Sequence, residues 1–146
     1  MSFNSLDYLS AAKEHVDGAG KLYNMQCYVL AHYVAGLAVE CLLRAYRFRV
    51  DSNFDERHDL RALLKASRLA DIVSNTDRPR INAALGDVVS RWQNDHRYRS
   101  KESLRRFLVT KKLYVKIKDD FVKENSRRIV NAALELVTIG AKAWIR

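Results

Sequence analysis

At 146 residues the chain has room for one domain with a real apolar core, held without disulfide or metal staples. Hydrophobic residues make up 48% and charged residues 29%, and one Pro with five Gly excludes a turn-rich all-β fold. The net charge of +9 points to an anionic partner.

That excess is concentrated. Residues 1–96 hold 12 Lys/Arg against 12 Asp/Glu, whereas residues 97–128 hold 12 against 4. The second segment reads as a docking face for a polyanion. No stretch of 18 residues is both apolar and free of charge, so no membrane span is expected. Met1–Asp7 lacks the basic start and apolar run of a signal peptide. A cytoplasmic location follows as the expectation, with Cys27 and Cys41 as buried, reduced thiols. On one helix the two would sit roughly 21 Å apart, too far to pair.

Asn4 or Ser5 can cap a first helix running to about Tyr23, with Leu6, Leu9, Val16 and Tyr23 as its apolar stripe. A second helix, about Cys27 to Arg49, is apolar on nearly every side. Val29, Leu30, Tyr33, Val34, Leu37, Val39, Leu42, Leu43 and Tyr46 cannot share one stripe, so this helix is central or lies at a dimer seam. Glu40 and Arg44, four apart, can pair within it as a satisfied core acid and its partner.

A polar loop over 51–57 leads to a third helix from His58–Asp59 to about Leu69, with Leu60, Leu63 and Leu64 inward. His58 reads as a helix-start residue. A short turn or helix near Asp71–Ser74 follows. Thr76 or Asp77 then caps a fourth helix with Pro79 near its start. Its stripe is Ile81, Leu85, Val88, Val89 and Trp92, and its expected end is near Asn94. Helical pattern returns over Leu104–Leu108. The alternation of Leu113, Val115 and Ile117 leaves residues 109–120 open between a strand-like excursion and a distorted helix. A last helix starts at Asp119 or Ser126 and runs to Trp144, with Phe121, Ile129, Ala133, Leu136, Val137 and Trp144 inward. The chain reads as a single all-α domain over 1–146, an up-and-down bundle of four to five main helices.

Arg91, His96 and Tyr98 bring three chemistries together within eight residues. His transfers protons near neutrality. Arg grips phosphate with fixed charge. A Tyr can bond a phosphate or stack on a base. RNA cleavage needs these types. With the fourth helix ending near Asn94, the chain could turn the His96 ring toward Arg91. Against this stands a plain reading, an Arg91–Asp95 salt bridge and a surface His96. The four His are scattered without ligand spacing, so neither a metal nor another cofactor is expected. No Gly-rich phosphate loop or nucleophile elbow is present.

The run Tyr28-Val-Leu-Ala-His-Tyr-Val-Ala-Gly-Leu-Ala-Val-Glu40-Cys-Leu-Leu-Arg44-Ala-Tyr46, then His58-Asp-Leu-Arg-Ala-Leu-Leu64, then Arg97-Tyr98 resembles the HEPN superfamily. The likeness covers about residues 5–100, and 101–122 looks like a basic elaboration. It implies a helical bundle, usually a homodimer. Many members are metal-free ribonucleases whose Arg-(four to six residues)-His motifs meet across the dimer. Toxins paired with a minimal nucleotidyltransferase antitoxin often carry Arg-(four residues)-His-x-Tyr, and the antitoxin can attach adenylyl groups to that Tyr. Arg91, His96 and Tyr98 match this spacing.

Two functions are therefore expected. The first is a metal-independent endoribonuclease toxin of a prokaryotic toxin–antitoxin system, with its Arg/His site at a dimer cleft. Arg91 and His96 would be catalytic and Tyr98 the modification site. Arg97, Tyr98, Arg99, Arg105 and Arg106 would hold RNA. The second is a non-catalytic HEPN nucleotide-binding or protein-interaction module using Arg97, Tyr98 and the basic face. The RNA target and the dimer interface stay open.

Overall fold

The structure, a computed structural model, describes residues 3–53, 58–114 and 120–145. Among these residues the fold is all-α. The helices are α1 (Ser5–Asn24), α2 (Tyr28–Val50), α3 (Leu60–Ser67), α4 (Leu69–Ile72), α5 (Asp77–Arg91), α6 (Lys101–Thr110) and α7 (Phe121–Trp144), with a 3-10 turn at Asn94–Tyr98 between α5 and α6.

The expected start of α1 holds. Asn4 accepts from the Asp7 N–H at 2.9 Å and Asp7 returns the bond at 2.8 Å, a closed capping box. Its buried face differs from the expected stripe. Leu9, Ala12, Val16 and Ala19 are buried, while Leu6 is exposed and Tyr23 half-buried. The two alanines decide this, because small side chains let α1 approach α2 closely.

As expected from its sequence, α2 is the centre, packed by α1, α3 and α7. By length and composition it could cross a membrane, yet most of it is buried inside the fold. Leu30 near its start and Val50 at its end are apolar exceptions, 51% and 53% exposed. Glu40 and Arg44 are both buried and pair at 3.4 Å. The Tyr46 hydroxyl donates to the Gly140 carbonyl at 2.6 Å, which ties α2 to α7.

The thiols depart from expectation. Cys27 is exposed at the α2 N-cap and Cys41 is half-buried. α3 is shorter than expected because Asp59 is its cap, accepting from the Arg61 and Ala62 N–H groups. It stops at Arg68, which takes a left-handed conformation with φ 58°.

α5 ends at Arg91, three residues before the expected Asn94. Trp92 leaves the helix in an extended conformation and lies over Gly36 of α2. A Cβ at Gly36 would meet the indole at 2.2 Å, so only a bare backbone admits this approach. Trp92 stacks on Tyr33 at 6.1 Å and its Nε1–H donates to the Tyr33 carbonyl at 3.1 Å. This contact anchors the next segment, which carries the candidate site.

α6 starts earlier than expected, at Lys101, behind a Ser100–Ser103 capping box. With the first turns of α7 it builds a second small core of Leu104, Phe107, Leu108 and Val122. α7 starts after Asp120, whose carboxylate caps it. Phe121 and Trp144 are half-buried rather than fully inward. Of the segment left open, Lys111–Tyr114 form a turn, and residues 115–119 lie outside the described residues.

Candidate functional site

Arg91 and His96 do not touch. Both are buried, 6% and 1% exposed, and are joined through two residues of other helices. Arg91 Nη1 donates to Asn125 Oδ1 of α7 at 3.0 Å. Asn125 Nδ2 meets His32 Nδ1 of α2 at 2.9 Å. His32 Nε2 meets His96 Nδ1 at 2.8 Å. The Gln93 N–H also reaches His96 Nδ1, at 3.3 Å. Trp92 on Gly36 fixes the backbone that makes this possible.

The direction of these bonds follows from Arg91. A guanidinium only donates, so the Asn125 oxygen faces it and the Asn125 amide hydrogens face His32. His32 Nδ1 is then an acceptor, and a neutral ring carries its proton on Nε2. That proton goes to His96 Nδ1, which leaves the His96 proton on its own Nε2. His96 therefore offers one N–H donor and no free lone pair. Its Nε2 is buried with no partner.

A proton added to either ring would set donor against donor. The acidities agree. Burial first, then the His96 ring and the Arg91 charge, push His32 down to about 3. Burial, with Arg99, pushes His96 down to about 4 against the opposing pull of Asp95. Burial and the Arg128 charge also lower Arg91. Among the described residues no carboxylate lies within ion-pair distance of Arg91, so the expected Arg91–Asp95 bridge is not formed. Arg91 Nε and Ser126 Oγ, like His96 Nε2, are buried without partners.

The exposed side of the segment is basic. Tyr98 is 76% exposed, with Arg97 over its ring at 4.8 Å. Arg97 also bonds the Asn94 amide oxygen at 3.2 Å. Arg99 lies over Phe107 at 5.6 Å and donates to the Ser103 carbonyl at 3.4 Å. Val29, Leu30, Tyr33, His96, Arg97, Arg99, Ser100 and Lys101 line a cleft of about 260 Å³. Arg105 and Arg106 are exposed on α6, away from that lining, with Arg105 over Phe121 at 4.6 Å.

A second group was half legible. Glu40 Oε1 meets His58 Nδ1 at 2.9 Å, so the carboxylate is shared between Arg44 and a residue 18 positions away. Sequence reasoning missed His58 in this role, and it missed His32 and Asn125. For His32 and Asn125 the one signal was a polar residue standing on an apolar helical face, whereas His58 lies just before the α3 cap, off any helix. Among the described residues no cluster of His, Cys, Asp and Glu is placed to hold a metal. Compared with family models, with curated proteins and with solved structures, the chain matches none.

Proposed function

We propose that this chain is a HEPN-like, non-catalytic domain that binds RNA or nucleotides by their phosphates, in the cytoplasm and as a homodimer. The observation that carries the reading is the polarity of the buried chain from Arg91 to His96. A general base needs a free lone pair near neutral pH, and the His96 Nδ1 lone pair already faces two donors. Arg91 and His96 act here as the internal frame of a binding face. Arg97, Tyr98, Arg99 and Lys101 are its working surface, with Arg105 and Arg106 extending it along α6.

The second reading is the metal-free endoribonuclease toxin. Two observations favour it: the Arg91, His96, Tyr98 spacing, and a Tyr98 hydroxyl exposed for adenylylation by a partner nucleotidyltransferase. It requires the His96 ring to turn and release Nδ1.

One experiment separates them. Purified protein is incubated with total RNA and tRNA in EDTA, beside His96→Ala, and short RNA is titrated by filter binding across salt. The binding reading expects no cleavage, saturable binding, and a shallower salt slope for Arg97→Glu with Arg99→Glu. Cleavage lost in His96→Ala of verified fold would establish the ribonuclease instead. Absence of both binding and cleavage would remove both.

A further inference from the structure

α6 begins at the cleft, and its capping box leaves something over. Ser100 and Ser103 satisfy each other's backbone N–H groups. The N–H groups of Lys101 and Glu102, at the first two helical positions, have no intrahelical acceptor. Ser100 and Lys101 line the cleft, together with the guanidinium-bearing Arg97 and Arg99. None of its lining residues is acidic. The neighbouring acids stand outside that lining: Asp120 is 3.8 Å from Lys101 Nζ in the adjoining cleft, Asp95 precedes His96 and acts on it, and Glu102 follows Lys101.

His96 supplies an independent observation. It lines the same cleft, is 1% exposed, and holds an N–H with no partner. A buried donor left unmade is costly, so its persistence asks for an acceptor. Because Nδ1 is engaged on the inner side, this nitrogen is a donor at any pH at which the network stands. The charged side chains that line the cleft are all cationic. The volume of about 260 Å³ is several times that of a water molecule and accommodates a phosphate group.

We propose that this cleft is a subsite for a phosphate monoester, the terminal phosphate of an RNA strand or of a nucleotide, held by the α6 N-terminus, His96 Nε2–H and Lys101. A monoester carries close to two negative charges and three acceptor oxygens, against one charge and two free oxygens for a backbone diester. Three cations and three N–H groups fit the former. Tyr33 on the wall and the exposed Tyr98 beside it offer rings for the adjoining sugar and base. The inference rests on the binding reading above and deepens it.

The test compares short RNA oligomers of one sequence with 5′-phosphate, 3′-phosphate or no terminal phosphate, with inorganic phosphate and AMP as competitors. One phosphorylated oligomer should bind about tenfold tighter than the unphosphorylated one, and inorganic phosphate should erase that advantage. Lys101→Ala, at an exposed position, and Arg99→Gln, at a half-buried one, should each erase most of it; His96→Phe should do the same where it folds. AMP competing as well as the phosphorylated oligomer would support the subsite with a free nucleotide as its source. Equal binding of all three oligomers would overturn the subsite and leave RNA binding standing. Failure of every oligomer to bind would overturn both.

Discussion

His32 Nε2 lies 2.8 Å from His96 Nδ1, across 64 positions of sequence and with both rings buried. Two imidazoles at this distance can share one proton between them and no more. The Arg91–Asn125 bond fixes which one it is, so the pair is a neutral joint between α2 and the segment leading to α6.

That joint predicts an acid-labile fold. Both rings titrate below their ordinary 6.5, His96 at about 4 and His32 at about 3. The unfolded chain therefore binds protons between pH 6.5 and 4 that the folded chain refuses. Stability is complete above 6.5 and falls as pH drops through that window. For His96 alone the loss by pH 4 is on the order of 3 kcal/mol. Thermal unfolding from pH 7.5 to 4 should show a falling Tm, and His96→Phe should flatten the slope. A Tm indifferent to pH would contradict the neutral pair.

Gly36→Ala should destabilise, against the usual helical preference for Ala over Gly. The added Cβ would meet the Trp92 indole at 2.2 Å. Either α2 and Trp92 separate or the indole leaves its stack, at a cost of about 1–3 kcal/mol. Urea unfolding measures this. Gly18→Ala, at a position open to solvent or space on its Cβ side, should stabilise by about 0.5–1 kcal/mol.

Glu40→Ala should cost about 1–3 kcal/mol, since it removes a buried carboxylate bonded to both Arg44 and His58. His58→Ala should cost under about 1 kcal/mol, because its side chain is 53% exposed. Denaturant midpoints for the two variants check the ranking, and equal losses would reverse the assignment of Glu40 as the core partner.

The two thiols should react at different rates. Cys27 is exposed. Burial and the neighbouring Glu40 charge push the Cys41 thiol up to about 11, with Arg44 opposing. A disulfide reagent at pH 8 should modify one thiol quickly and the second only on unfolding; Cys27→Ser should abolish the fast phase.

Local features were legible in the sequence. The Asn4 cap, the apolar girth of α2 and the Glu40–Arg44 spacing all depend on residues within a few positions of one another. What stayed hidden depends on distance along the chain. Nothing near His32 marks His96 as its partner, and nothing near Glu40 marks His58. Leu6 fell outside the core because Ala12 and Ala19 draw α1 in along a different line, a matter of packing that apolar spacing does not contain. The end of α5 was misjudged for a similar reason: Trp92 continues the periodic stripe, yet Gly36 on another helix gives its ring a better place.

The tryptophans have a practical consequence. The chain has two. Trp92 stacks on Tyr33, and Trp144 meets Tyr46 edge-on at 5.0 Å with Arg49 over its ring at 4.0 Å. Tyr33 and Tyr46 stand thirteen residues apart on α2, roughly 20 Å along its axis. The molecule thus carries an indole emitter at each of two places along one helix. With either one replaced by Phe, the emission of the other reports on its own end of the bundle. Loosening around Trp92 could then be timed separately from unfolding of the whole, with no label attached.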